Sequence, residues 1–315
     1  MAISSVERSP ERRVERLSHV SAKRVIEPDV EVTGEFGEGQ LLPDELLLVA
    51  GIDVELSPEQ KATLAREQVA AMLEGGIRFE STLLAGAGLL LTQWPDLTDP
   101  RVTYLLHEVG EETRHSRLFV RMIEQLRPRA RNPFTTGLNA RIGKRIYRLT
   151  AANPLLFCTM VLAGEEIPDL VQRRAVEHPD TDDYLRRANA YHREEEARHL
   201  AFGRMLLPEM WASSSRKDRW LVRRVAPLLV RLMMETQLTH PGIYAVVGLP
   251  PRRTAWKVNH SETQRALVAE AMRGVLKTLL AAAPQLQGRV PRGWRRLCQV
   301  DRAGTPLSSA TLTAE

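Results

Sequence analysis

Two stretches of this chain space out the residue types that bind transition metals. Glu112-Thr113-Arg114-His115 is a Glu-x-x-His, and residues 192–199 form a His-x-x-x-Glu-x-x-His through His192, Glu196 and His199. On a helix turning 100° per residue, Glu112 and His115 lie about 60° apart, and His192, Glu196 and His199 share an arc of about 60°. Each set therefore points one way from its own helix. Two Glu-x-x-His helices, each complemented by a Glu from a further helix, are the ligand pattern of carboxylate-bridged di-iron and di-manganese sites in four-helix bundles. Both further acids are at hand. Glu80 sits among apolar neighbours in Ile77-Arg78-Phe79-Glu80, and Glu165 follows apolar positions 158, 161 and 162, which places it on an inward face. Glu166 is the alternative to Glu165. Four carboxylates balance two Fe(II) ions in charge, whereas an apolar core does not tolerate four unpaired glutamates. Imidazole and carboxylate suit iron or manganese, and the set has no thiolate that would point to structural zinc.

These residues need helices to hold them, and the sequence marks several. Ser57-Pro58-Glu59-Gln60 reads as an N-cap, a first-position proline and a capping-box glutamine, opening a long 3.6-residue pattern to about Leu91. Pro100 opens a second helix to about Leu126. A third stretch begins near Leu138, restarts at Asn153-Pro154 and ends near His178-Pro179; a fourth runs from about Thr181 to Leu207. Pro168 lacks an N–H and leaves the carbonyl of Gly164 without its usual partner, one turn from a candidate ligand. Two more periodic segments follow, at about 216–239 and 260–283. β-Branched alternation is confined to Val30–Thr33 and Ile243–Val247. The expected fold is all-α, a ferritin-like four-helix bundle core with additional helices. Residues 1–40 read as a flexible leader, 41–300 as the single domain and 301–315 as a polar tail.

The composition agrees with that class. The 315 residues are 43% hydrophobic and 26% charged, the balance of a globular protein. The net charge of +5 conceals a split: residues 216–315 carry 17 Lys+Arg against 6 Asp+Glu, and residues 1–215 carry 27 against 33. Cys158 and Cys298 are too far apart and too few for a disulfide framework, and Cys158, in an apolar run, reads as a buried small hydrophobe. The N-terminus mixes charges and has no signal-peptide core, and Leu83–Leu91 is too short to span a bilayer. A cytoplasmic protein with no membrane partner is expected.

Other polar residues have plainer readings. Glu111, Glu194 and Glu195 read as solvated helix charges. His107-Glu108-Val109-Gly110-Glu111 lacks the second histidine of a zinc-protease motif. His178, His240 and His260 lie outside the motifs and read as surface or capping residues. The substrate pocket is expected among Leu84, Leu162 and Leu200.

The order Glu80, Glu112-x-x-His115, Glu165, His192-x-x-x-Glu196-x-x-His199 resembles the non-haem di-iron N-oxygenases typified by p-aminobenzoate N-oxygenase (AurF-like), over about residues 57–240. His192 is the distinguishing mark, because ordinary ferritin-like proteins have only the two-motif, two-histidine set. The resemblance implies seven ligands: Glu80, Glu112, His115, Glu165, His192, Glu196 and His199. It implies two iron ions (or manganese), dioxygen as co-substrate, and oxidation of an arylamine through hydroxylamine to nitro. With no flavin or nicotinamide fingerprint in the chain, the expected electron source is an external donor or reductase. The alternatives are a di-iron hydroxylase or desaturase on a carbon or acyl substrate, and a non-catalytic ferritin-like iron-binding protein, against which His192 and the chain's length argue. The basic last third lacks nucleic-acid motifs; surface charge, a contact between the two copies of an expected homodimer, or docking of an acidic electron donor accounts for it.

Overall fold

A computed structural model describes residues 10–307, and among them the regular structure is helical, with one isolated bridge between Val300 and Pro306. Four long helices hold the predicted ligands, and local chemistry starts each one. Helix α1 (Pro10–Lys23) and the short α2 (Pro28–Glu31) precede α3 (Pro58–Gln93). At the start of α3, Ser57 Oγ accepts from Gln60 N and the Gln60 side chain accepts from Ser57 N, the reciprocal capping box the sequence announces. Asp99 caps α4 (Pro100–Leu126), which stops at Arg127 in a left-handed conformation (φ 47°). Helix α5 (Gly137–Ala151) meets α6 (Pro154–Glu177) at a 113° bend where Asn153 caps the second piece. Asp182 caps α7 (Asp183–Ser213).

The helices pair as α3 with α4 and α6 with α7. Their packing buries two apolar clusters. One includes Leu83, Ala87, Leu155, Leu162, Leu200 and Leu207; the other includes Leu64, Val69, Leu118, Met122, Leu185 and Ala188. On α3, α4 and α7 the predicted ligands lie in sequence between the residues given to one cluster and those given to the other. The chemistry therefore occupies a polar layer between two cores. No single helix among the described residues is long and apolar enough to cross a membrane.

The expected flexible leader is not what residues 10–40 form; residues 1–9 lie outside the described part. Helix α1 packs on α4 and α7, burying Val14, and Ser21 accepts a hydrogen bond from Arg198 Nε at 3.0 Å. Beyond it the chain is tied to α4 by Arg117, which bonds Glu27, and by Arg121, which bonds Asp29 and the carbonyls of Pro28 and Val32. These ties are tertiary, so no local period announces them. Val30–Thr33 and Ile243–Val247 are helical or irregular, not strands.

The expected 216–239 segment divides into α8 (Arg216–Arg224), α9 (Ala226–Met233) and a π-helical turn at Met234–Leu238. Pro227 makes the break, since a proline suits a first turn but not a helix interior. Then come α10 (Pro241–Val246), α11 (Pro251–His260), α12 (Glu262–Ala282) against α6 and α7, and α13 (Arg292–Cys298). Residues 299–307 fold back through the Leu307 N to Gln299 O bond, so the first part of the expected tail is held; 308–315 lie outside the described residues.

Candidate metal centre

All seven predicted ligands are buried, and six of them have donor atoms in three overlapping groups, the third of which joins Glu112 and His199 to Glu108. Glu80, His115 and His192 offer atoms within 4.8 Å of one another, as do Glu112, His115 and Glu196. His199 Nδ1 lies 3.0 Å from Glu196 Oε2 and 3.1 Å from Glu112 Oε1. His115 Nδ1 lies 3.3 Å from Glu196 Oε1 and 3.4 Å from Glu112 Oε2. Glu112 and Glu196 therefore face each other across the centre, each reaching both histidines. His192 turns its Nε2 towards Glu196 (3.5 Å) and Glu80 (3.8 Å), while its Nδ1 meets Gln172 Oε1 at 3.0 Å. The seventh residue, Glu165, has Glu196, Glu112 and His199 as its charged neighbours. Glu166 does not enter the centre; it pairs with Arg204 at 2.5 Å.

The far side of each ring explains how the rings are aimed. His115 Nε2 meets Glu195 Oε2 at 2.9 Å, and His199 Nε2 meets Glu111 Oε2 at 2.7 Å. A ring that donates its Nε2–H outward keeps the Nδ1 lone pair free for a cation. The arrangement is crossed, with α4 supplying the carboxylate for the α7 histidine and the reverse. Arg198 donates to Glu111 at 2.8 Å, Arg114 donates to Glu195 at 3.3 Å, and Tyr191 OH donates to Glu195 at 3.0 Å. Glu111 and Glu195 are thus buried orienting groups, not the solvated charges expected of them. A signal for them is present in the sequence: both motifs read Glu-Glu-x-Arg-His, at 111–115 and 195–199. Glu194 does behave as expected, pairing with Arg24 at the partly exposed face.

The donor set fits metal cations on its own chemistry. Glu108 Oε2, Glu112 Oε1, Glu165 Oε1 and Glu196 Oε1 are buried and receive no hydrogen bond of good geometry. Burial and the facing charges shift these groups in different directions. Burial and the charges of Glu196 and Glu112 hold Glu165 well above the usual carboxylate range. Burial alone would raise Glu196 too, but the His199 charge and the His115 hydrogen bond bring it well below that range. Burial disfavours charge on His115 and His199, yet the facing carboxylates lift both well above the usual imidazole value. The carboxylates thus favour the imidazolium forms of both rings, positive charge where metal ions would otherwise supply it.

Comparison with known proteins gives the same direction. The family model described as P-aminobenzoate N-oxygenase AurF matches residues 7–282. The chain belongs to the AurF family. The matched family is described by an N-oxygenase, and the buried His/Glu clusters of this chain are of a kind that could hold metal ions. Two relatives are the uncharacterized protein Mb0909 of Mycobacterium bovis and the uncharacterized protein Rv0885 of Mycobacterium tuberculosis. Each is 26% identical over 192 residues, covering 60% of this chain and 55% of the relative, so the match spans about half of the relative's length. No solved structure gives a significant match.

In this AurF-family chain a cavity of about 160 Å³ abuts the centre at Glu80, Glu165 and His192. Its wall includes Val69, Leu73, Phe79, Phe119 and Leu238, with Gln172, Asn189 and Tyr147 as polar groups. The expected lining of Leu84, Leu162 and Leu200 is not there: Leu162 and Leu200 belong to the apolar cluster around α6 and α7. Gly164 leaves room for Phe79, whose ring would stand 2.1 Å from a Cβ at that position. Among the described residues Arg174 is the one cation in the lining, and Glu270 holds it at 2.7 Å. His240 is buried, contrary to the expected surface position, and burial pushes its imidazole down to about 4. His178 and His260 match their expected peripheral roles: His178 Nδ1 accepts from Asp180 N, and His260 is exposed at the end of α11.

Proposed function

We propose that this protein is a di-iron oxygenase that oxidises the nitrogen of a small, uncharged arylamine to hydroxylamine and nitro products, with Glu80, Glu112, His115, Glu165, His192, Glu196 and His199 as the iron ligands. The observation that carries this reading is a ring-sized apolar cavity opening on Glu80, Glu165 and His192. An apolar cavity of ~150 Å³ takes one benzene ring. Two iron ions held by those side chains would bind dioxygen and pass it electrons. The chain's own part is to seat the ring between Phe79 and Phe119, keep water out with its apolar walls, and offer Gln172, Asn189 and Tyr147 as hydrogen-bonding groups. A simple iron store needs no such cavity.

Among the described residues the one cation of the wall, Arg174, is paired with Glu270, which favours substrates without a carboxylate, because a buried unpaired carboxylate is costly. Protein loaded anaerobically with Fe(II) is expected to hold two ions per chain. In single turnover with O2, anilines bearing neutral substituents should give hydroxylamine and nitro products by mass spectrometry. Carboxylate-bearing anilines should react at least about tenfold less efficiently, equivalent to about 1.4 kcal/mol. Indifference to every amine, with oxidation of a carbon substrate instead, would replace this reading by the hydroxylase one.

Each two-electron step that delivers one oxygen atom to the amine and the other to water needs electrons from outside the chain. An acidic protein donor suits the surface. Seven arginines of the basic last third, among them Arg224, Arg265, Arg292, Arg295 and Arg296, line a groove of about 1190 Å³, against two acids, Glu235 and Asp301. Met234 and Gln264 line both this groove and the cavity. Reduction of the centre by an acidic ferredoxin should slow several-fold between about 0.05 and 0.5 M salt. A salt-independent rate in stopped-flow would count against docking there.

A further inference from the structure

Two ions would divide the seven-ligand set unevenly. Glu112 and Glu196 face both His115 and His199 and would be shared. Glu80, His115 and His192 would then serve one ion, which would leave His199 and Glu165 for the other. An additional donor lies beside the poorer position. Glu108, on α4, has an oxygen within 4.8 Å of donor atoms of both Glu112 and His199. It is 4% exposed, and its Oε2 receives no hydrogen bond. The charged groups that weigh most on it are His199, Glu112, Glu196 and Glu111.

The two central helices carry the same spacing. On α7, His192 precedes Glu196 by four residues and His199 follows it by three; on α4, Glu108 precedes Glu112 by four and His115 follows by three. Residues four apart share a helix face. The outer carboxylates Glu111 and Glu195 and the arginines Arg114 and Arg198 occupy matching offsets too, and they cross between the helices in matching ways. Glu108 therefore stands to the ion beside His199 as His192 stands to the ion beside His115.

We propose that Glu108 is an eighth protein ligand of the metal centre, bound to the ion held by His199. The inference rests on the di-iron reading above. With it, each ion has three ligands of its own (Glu80, His115 and His192; Glu108, Glu165 and His199) and a share of Glu112 and Glu196.

The test is anaerobic Fe(II) titration of the full metal-free chain against a competing chelator, comparing wild type with Glu108→Gln, which keeps the shape and removes the anionic donor. Wild type should bind two ions, while E108Q binds one normally and the second at least about tenfold more weakly, the scale seen when metal-site support is lost. Two ions bound by E108Q with wild-type affinity would overturn the proposal and leave the di-iron reading intact. No binding by wild type would overturn both. Should E108Q fail to fold, a crystal structure of the wild-type chain loaded with Mn(II) decides the point. A Glu108 oxygen bonded to the ion beside His199 supports the assignment, and a carboxylate turned away from it overturns it.

Discussion

Glu196→Ala is expected to empty the metal centre and to weaken the metal-free fold by about 3–5 kcal/mol, the range for removing one partner of a buried charge pair. Glu196 reaches three of the predicted ligands within ion-pair distance: its carboxylate lies 3.3 Å from His115 Nδ1, 3.5 Å from His192 Nε2 and 3.0 Å from His199 Nδ1. Alanine removes the donor that both ions would share, so neither should survive desalting. In metal-free protein it strands His115 and His199, whose positive charges are balanced by Glu196 and Glu112 from the inside and by Glu195 and Glu111 from the outside. Part of the cost is recovered if one imidazole releases its proton, which places the lower end of the range at higher pH. The measurements are metal content after desalting and the urea midpoint of chelator-treated protein. Glu194→Ala, two residues away, loses a partly exposed pair with Arg24 and should shift stability by less than about 1 kcal/mol without changing metal content. Two retained ions in Glu196→Ala would remove that carboxylate from the centre.

The difference between Glu194 and Glu195 shows what the sequence could and could not convey. The buried cluster of candidate ligands was legible because a helix repeats every 3.6 residues, so Glu112 with His115, and His192 with Glu196 and His199, declare a common face before any fold is known. Glu80 and Glu165 were legible from apolar neighbours, and the choice of Glu165 over Glu166 needed the fold, in which Arg204 draws Glu166 away. Residue type alone assigned Glu111 and Glu195 to solvent, since isolated glutamates on a helix are mostly exposed. Their partners lie on the opposite helix, and only the crossing of α4 and α7 brings Glu111 to His199 and Glu195 to His115. The same limit hid the order of residues 10–40, which is held by Arg117, Arg121 and Arg198 rather than by its own periodicity. It also misdirected the cavity wall. Leu84, Leu162 and Leu200 lie near the ligands in sequence, but which flank of the polar layer is hollow depends on where Gly164 admits the ring of Phe79.

The metal-free and metal-loaded forms are expected to respond to pH in opposite directions. In the metal-free fold, burial opposes charge on His115 and His199, but the surrounding carboxylates outweigh it and hold both well above the ordinary imidazole value. A raised value means that the fold binds protons the unfolded chain has released. Their stabilisation is therefore complete below about pH 6.5 and is lost as pH rises through the folded values. Burial lifts Glu108 to about 8 and, with the Glu196 and Glu112 charges, lifts Glu165 well above the usual range. These two also cost stability as pH climbs from about 4.5, because the unfolded chain ionises them freely while the fold resists. Glu112 and Glu196 run the other way: both are lowered despite burial, so their contribution is present above about 4.5 and is lost below it. The metal-free protein should thus be most stable at mildly acidic pH and weaken steadily above neutrality. Metal binding requires neutral imidazoles and ionised carboxylates, so each ion displaces protons and binds more tightly as pH rises. Thermal unfolding from about pH 5.5 to 8.5, with and without Fe(II) under argon, should give diverging curves, and metal addition in weak buffer should acidify the solution. Parallel curves without proton release would mean that His115 and His199 are already neutral in the metal-free fold, and the two-imidazolium account of the apo centre would have to be abandoned.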